Sequence, residues 1–239
     1  MEIMKNIIIS IPVQNEEKNI PILINRIKLL DIDLSILLVN DCSTDETGKV
    51  ADRISDDEED VYVVHRTEKE GLHAALITGI EEALRLGADK VITMDGDLSH
   101  RPEEIPDLIN SSKDNDLVIG SRFISGGKTN DWSPLKKVMS FTARKMSRFF
   151  LGIQVVDCSS GFKLYSKKVL ESYDFNNFIT RGYAFQIESI LRAEKNNFKI
   201  KEIPITFKGR IYGKSKVTLR EIRRYLKSLA TLMLIKRKI

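Results

Sequence analysis

Two aspartates separated by one glycine, Asp95-Gly96-Asp97, close the apolar run Val91–Met94. Carboxylates so near each other repel unless a positive charge sits between them. A hard divalent cation with oxygen ligands, Mg²⁺ or Mn²⁺, resolves this and keeps coordination positions open for the oxygens of a diphosphate. No glutamate follows at the offset an EF-hand loop needs, and neither G-x-x-x-x-G-K-[ST] nor G-x-G-x-x-G occurs in the chain. A second set of groups is basic. Arg122 follows the run Leu117–Ile119, Lys136, Lys137 and Ser140 come shortly after Trp132, and Arg210, Lys214, Ser215 and Lys216 flank Gly213. An arginine grips phosphate bidentately, a lysine supplies a point charge and a serine a hydroxyl donor, so Arg122, Lys137 and Ser140 together suit a monophosphate. Lys136 and Lys214 read more simply as solvated surface charges. The stretch Arg210–Lys216 could serve either of two phosphates, and sequence does not choose between them. His65, His73 and His100 receive no role, because a lone histidine after a strand or near a helix start is more often structural.

The elements that must carry these residues follow from pattern. Asn6–Ile11, Ile36–Val39, Val61–Val64, Val91–Met94 and Leu117–Ile119 are short continuous β-rich runs, the signature of buried strands. Helical spacing fills Ile20–Leu30, Thr44–Ile54, Leu72–Leu86 and Pro102–Ile109, with Asp41, Ser43 or Thr44 as an N-cap and Gly87 as a stop. Strand alternating with helix gives a mostly parallel sheet with helices on both faces, whose ligand site lies beyond the carboxyl ends of the strands. Three polar clusters fall at such ends: Pro12-Val13-Gln14-Asn15-Glu16, Asn40-Asp41-Cys42-Ser43-Thr44-Asp45 and Asp95-Gly96-Asp97. The second half reads as a polar, glycine-containing loop Ser121–Ser133, a basic helix Pro134–Leu151, a strand Gly161–Tyr165, a helix Tyr183–Asn196, one alternating strand Ile200–Phe207, and a last helix from Thr218 to Ile235.

The 239 residues are 42% hydrophobic and 30% charged, an ordinary globular balance that sets disorder aside. No run approaches the roughly 18 uninterrupted apolar residues of a membrane span. The opening MEIMKNIIISIPVQNEE lacks the length and cleavage region of a signal peptide, so the chain is expected to stay on the cytoplasmic side. Cys42 and Cys158 are the only cysteines, too few for a disulfide framework or structural zinc. The formal charge of +4 hides an asymmetry: Lys199–Ile239 holds 13 basic and 2 acidic residues, net +11, leaving −7 for the rest. In the last helix Leu219, Ile222, Leu226, Leu229 and Met233 recur at spacings of three and four among Arg220, Arg223, Arg224 and Lys227. That basic amphipathic stripe suits an anionic membrane surface. Nucleic acid would also suit the charge, but no helix-turn-helix, RNP or zinc-finger signature is present.

Pro12-x-x-Asn15-Glu16, Val39-Asn40-Asp41-x-Ser43-Thr44-Asp45, Asp95-x-Asp97 and Gly161-Phe162 resemble the inverting nucleotide-sugar glycosyltransferases of the GT-A fold. Within that group Met94–Pro106, Gly120–Phe123, Arg181–Glu188 and Arg210–Lys216 resemble the polyprenyl-phosphate (dolichyl-phosphate) mannose synthases, and the likeness runs from about Ile7 to Leu232. Departures are Gln14 for an aromatic, Asn40 for a frequent aspartate, Cys42 for glycine, and Ser99 for a metal-binding glutamine in some members.

The resemblance implies an α/β GT-A domain over residues 1–216 and a basic membrane-surface helix over 217–239. It implies donor contacts from Pro12, Asn15, Glu16, Asp41, Asp95, Arg210 and Lys216, with Asp95 and Asp97 on Mg²⁺ or Mn²⁺ and Asp97, Arg122, Lys137 and Ser140 in the catalytic set. The implied reaction moves a hexose, mannose from GDP-mannose before a UDP-sugar, to a polyprenyl phosphate with inversion, at the cytoplasmic membrane face. A peripheral protein of this kind is expected to use its tail or a small membrane subunit as anchor. The rival of another class is a non-catalytic nucleotide- or anionic-lipid-binding protein.

Overall fold

The computed structural model describes residues 6–130, 132, 134–182, 184–209 and 219–236. Four strands, β1 (Ile7–Val13), β2 (Ser35–Asp41), β3 (Val61–Arg66) and β4 (Lys90–Thr93), run parallel, joined by helices α1 (Ile20–Lys28), α2 (Thr47–Asp57) and α3 (Leu72–Arg85). A single 3₁₀ turn at Pro102–Glu104 leads into α4 (Ile105–Ser111), then β5 (Leu117–Ser121). The remaining elements are β6 (Lys128–Thr129), α5 (Pro134–Leu151), β7 (Lys163–Ser166), α6 (Lys167–Glu171), α7 (Ala184–Lys195), β8 (Ile200–Pro204), β9 (Thr206–Phe207) and α8 (Leu219–Ile235). The main sheet has the order β3-β2-β1-β4-β7-β5-β8, and β7 alone is antiparallel to its neighbours, inserted between β4 and β5.

Alternation along β1 splits the core into two layers. Ile7, Ile9, Ile11 and Val13 face α1, α2 and α4, whereas Ile8 joins the opposite layer with Leu76 and Ile80 of α3 and Phe185 and Ile190 of α7. Strands buried on both faces are what their unbroken apolar runs encode.

The expected parallel architecture is present, with local differences. The run Ile200–Phe207 is two strands, because Ile205 turns into the core and the chain leaves the main sheet after Pro204 to pair β9 with β6. That pairing gives part of the expected loop Ser121–Ser133 a strand of its own. Helix α2 starts three residues later than its pattern suggests, and the Thr47 N–H bonds Asp45 Oδ1 at 3.0 Å, so Asp45 rather than Asp41, Ser43 or Thr44 supplies the side-chain contact at this turn. Helix α8 docks on the body: Leu229 and Leu232 are buried, and the Tyr225 hydroxyl bonds Ser147 Oγ at 2.6 Å and donates to the Ala143 carbonyl at 2.8 Å. Leu229 of the expected membrane stripe is therefore a core residue, while Leu226, Met233 and Leu234 stay exposed.

Candidate active site

The carboxyl ends of β1, β2, β4 and β5 carry their polar clusters to one rim. Three non-glycine residues there, Asn15 (φ 57°), Cys42 (φ 52°) and Leu98 (φ 62°), adopt left-handed backbone, one in each of the loops after β1, β2 and β4. Such strain persists only where the surroundings hold it, and it gathers at ligand-binding loops. A cavity of about 580 Å³ lined by Lys90, Ser112, Asp116, Lys168 and Lys199 opens at the other, amino-terminal end of the strands.

The first two loops brace each other. Gln14 Nε2 donates to the Asp41 carbonyl at 2.8 Å, the Asn15 N–H to Ser43 Oγ at 3.0 Å, and the Thr44 N–H to Asn15 Oδ1 at 2.8 Å. The buried Glu16 accepts from Asn19 Nδ2 at 2.6 Å while its own N–H donates to Thr47 Oγ1 at 2.8 Å. Asp41 pairs with Arg66 at the end of β3, and Arg66 also reaches Glu70 at 2.6 Å. Asn40 contacts His65 Nδ1 at 3.0 Å, and His65 Nε2 contacts Asp52 at 2.7 Å.

After β4 the chain turns tightly around Gly96, where a Cβ would stand 2.8 Å from Val13 Cγ1. The Asp95 N–H donates to Nδ1 of His100 at 3.2 Å, and Asp97 Oδ1 accepts the Ser99 N–H at 3.0 Å. His100 is wholly buried, stacked on Phe162 at 5.1 Å with Phe207 edge-on at 5.2 Å, and burial holds its pKa below the usual value despite Asp95 and Asp97. The neutral ring is the acceptor that fixes the Asp95 backbone. No role was expected of it, since a lone histidine carries no signal of its partner.

Asp95 is partly exposed and Asp97 buried, and the buried Ser99 hydroxyl beside them has no hydrogen-bond partner among the described residues. Among the described residues no group of three His, Cys, Asp or Glu side chains converges. Two hard carboxylates and an unsatisfied hydroxyl, with further positions left to substrate oxygens and water, fit Mg²⁺ or Mn²⁺ in an open site.

Arg122, at the end of β5, was expected to present its fork to an acceptor phosphate. Its Nε and Nη2 instead hold Asp157 at 2.7 and 2.8 Å, Nη2 also reaches Ser159 at 2.9 Å, and its backbone N–H donates to Asp157 at 3.0 Å. Phe123, Trp132 and Phe207 surround the guanidinium with centroids 5.2 to 5.4 Å away. Burial alone would lower the arginine's pKa and raise the aspartate's, but their mutual attraction and hydrogen bonds win in both directions. Glu202 on β8 accepts the N–H groups of Val156 and Asp157 at 2.7 and 2.8 Å, which fixes the segment carrying this aspartate. Asp157 lies in an irregular stretch without periodicity, so sequence patterning did not single it out. Lys137 is exposed and Ser140 half-buried, both on α5, and neither has a described bond to the rim. Arg210 and Lys216 lie outside the described residues.

The sequence profile described as Glycosyl transferase family 2 matches residues 8–174. The chain belongs to glycosyltransferase family 2. Within it, the chain is 39% identical over 218 residues to a polyprenol monophosphomannose synthase of Mycolicibacterium smegmatis, covering 90% of this chain and 82% of that protein. It is 36% identical over 208 residues to an undecaprenyl-phosphate mannosyltransferase of Micrococcus luteus, covering 87% and 86%. Among solved structures a mannosyltransferase from Pyrobaculum calidifontis, in complex with GDP-Man and Mn²⁺, superposes with a TM-score of 0.67 at 16% identity over 96% of this chain and 64% of that one. A mycobacterial protein superposes with a TM-score of 0.70 at 20% identity over 98% and 75%. These likenesses establish the GT-A fold, and family membership makes the chain a glycosyltransferase.

Proposed function

We propose that this glycosyltransferase transfers a hexosyl group, mannose from GDP-mannose, to the phosphate of a polyprenyl phosphate with inversion at the anomeric carbon. The observation that carries the reading is the Asp95/Asp97 pair on the rim beside the buried Arg122–Asp157 pair, in a chain whose relatives at 39% and 36% identity bear polyprenyl-phosphate mannosyl transfer in their names. A divalent cation held by Asp95 and Asp97 would offset the negative charge that grows on the leaving nucleoside diphosphate. The chain's own residues do the rest. Asn15, Glu16 and Asp41 take the nucleoside, with Pro12 beside them near the end of β1. Arg66 fixes Asp41, so one carboxylate oxygen is held from within the protein. An oxygen of the acceptor phosphate attacks the anomeric carbon as the bond to the diphosphate oxygen breaks, and no protein base is needed. Arg122 enters as a charge fixed by Asp157 rather than as an unengaged fork, with Lys137 and Ser140 of α5 completing the acceptor phosphate's cradle. Arg210 and Lys216 are assigned to the donor diphosphate.

We further place the enzyme peripherally on the cytoplasmic face of an anionic membrane, with residues 1–216 as the catalytic unit and 217–239 as the membrane-surface helix. Among the described residues no helix is long and apolar enough to cross a bilayer. A small membrane subunit would be an additional anchor.

Purified protein with Mn²⁺ or Mg²⁺, a polyprenyl phosphate, and GDP-mannose, UDP-glucose and UDP-GlcNAc in parallel tests the reading. Lipid-linked mannose formed from GDP-mannose alone is expected. Transfer from a UDP-sugar instead would move the donor assignment, and no transfer from any donor would sink the reading.

A further inference from the structure

Lys163 of β7 is a lysine with no exposed surface in the centre of the sheet. Burial pulls its pKa down to about 7. Its ammonium donates to three neutral oxygens: the Gln186 carbonyl at 3.0 Å, Gln186 Oε1 at 2.7 Å and Ser189 Oγ at 3.2 Å. A buried lysine whose hydrogen bonds go to neutral oxygens is an expensive way to fill a core. A methionine would fill much the same space at lower cost, so the side chain calls for an account beyond packing.

The account lies in what the lysine does to Gln186. Lys163 Nζ donates to the amide oxygen of Gln186 at 2.7 Å, so Nε2 points the other way. That direction leads to the rim. A Cβ built on Gly161 would lie 3.6 Å from Gln186 Nε2 and 3.3 Å from Asp95 Oδ1, so the amide and the carboxylate border one small space beside this glycine. Gly161 is itself tied to β4, since Thr93 Oγ1 donates to its carbonyl at 2.7 Å. Gln186 is 3% exposed, a buried donor aimed at the site. The space therefore has an N–H donor on one side and a carboxylate acceptor on the other. A phosphate oxygen can only accept, so it would use the amide N–H and bring no donor to the carboxylate wall. A hydroxyl both donates and accepts, and matches the two walls at once.

We propose that Gln186 is a sugar-recognition residue of the donor site, its Nε2 donating to a hydroxyl of the transferred hexosyl group, and that Lys163 is the positioning residue that fixes which way the amide points. The proposal rests on the reading of the site as one for a nucleotide sugar, and names the group that reads the sugar.

Gln186→Glu separates this role from a structural one. The carboxylate still accepts from Lys163, so the fold keeps its partner, but an acceptor replaces the donor facing Asp95. In Mg²⁺, the affinity for GDP should stay within about twofold of wild type, while affinity for GDP-mannose and kcat/KM fall by about tenfold or more, the scale of one lost buried hydrogen bond. Lys163→Met, which releases the amide, should narrow the preference for GDP-mannose over GDP-glucose with GDP binding unchanged. Wild-type protein supplies a reading free of any folding defect: the side-chain ¹⁵N signal of Gln186 should move on addition of GDP-mannose and not of GDP. A Gln186→Glu variant that binds and transfers like wild type, an equal loss of GDP and GDP-mannose affinity, or a Gln186 signal blind to the sugar would each overturn the proposal. The wild-type donor panel keeps the two levels apart, since absence of transfer from every nucleotide sugar defeats the reading itself, whereas normal wild-type transfer with an indifferent Gln186 defeats only this inference.

Discussion

Breaking the Arg122–Asp157 pair from either side leaves the other charge buried and alone, a loss of about 3–5 kcal/mol. Arg122→Met should therefore lower the denaturant midpoint strongly and Asp157→Asn somewhat less, because the amide oxygen still accepts from the guanidinium. The double variant Arg122→Met/Asp157→Asn should recover part of the Arg122→Met loss, and strictly additive losses would show that the two residues act independently. Asp97→Ala belongs to a different class. Asp97 accepts the Ser99 N–H within its own turn on the rim, and its replacement should lower turnover by at least about a hundredfold, the scale of a lost electrostatic contact to a developing charge, far more than it lowers the denaturant midpoint. EDTA should abolish transfer and Mn²⁺ or Mg²⁺ restore it; full activity in EDTA would remove the cation from the mechanism. Asp95, Asp97, Asn15 and Asp41 were legible in the sequence because each follows an apolar run that ends at a known edge of the sheet. Asp157 and Lys163 were not, because what matters about them is a partner distant in sequence: 35 residues separate Arg122 from Asp157, and 23 separate Lys163 from Gln186. His100 was not, because its partner is a backbone N–H, which no residue type marks.

Among the elements, the first four strands and their helices could be read directly, since each βαβ step is local and its handedness fixed. The antiparallel insertion of β7 could not, because an apolar run has no direction written in it, and pairing both β4 and β5 is a long-range choice. That insertion has an energetic consequence. β7 carries Lys163 into the core, where the folded state sheds its proton near pH 7, whereas the unfolded chain holds it to about 10.5. Between those values the unfolded state binds more protons, so unfolding free energy rises with pH by up to about 1.4 kcal/mol per pH unit from this group. Cys158, which burial pushes up to about 11 from 9.0, acts oppositely above pH 9, because there the unfolded chain loses the proton first. Asp157 and Cys158 both act to keep Lys163 charged, less strongly than burial acts to neutralise it. The clean window is therefore pH 7 to 9. Urea midpoints should climb across it in wild type, and Lys163→Met should flatten the climb. A slope unchanged by that substitution would mean that the lysine is not the titrating group.

On the scale of the whole molecule, charge and apolar surface converge at α5 and α8. Residues 199–239 carry a net +11 against −7 for the rest, and α5 adds Lys136, Lys137, Arg144, Lys145 and Arg148. On these two helices Phe141 and Phe149 of α5 and Leu226, Met233 and Leu234 of α8 are exposed, with Phe149 and Leu234 each more than four-fifths open to solvent. Each Lys or Arg near an anionic surface contributes about 1 kcal/mol and is screened within a Debye length of about 10 Å at 0.1 M salt, whereas buried apolar side chains add a part that salt does not weaken. Truncating the tail is the wrong test, because Leu229 and Leu232 belong to the core and their loss would loosen the body. Phe149→Ser with Leu234→Ser removes apolar surface only where it is already exposed, so the thermal midpoint should stay near that of wild type. Wild-type protein should float with vesicles containing anionic lipid, less at high salt than at low, and the double variant should lose the remainder that survives high salt. Flotation on neutral vesicles that ignores both salt and these substitutions would show that another surface, or a membrane subunit, holds the enzyme to the bilayer.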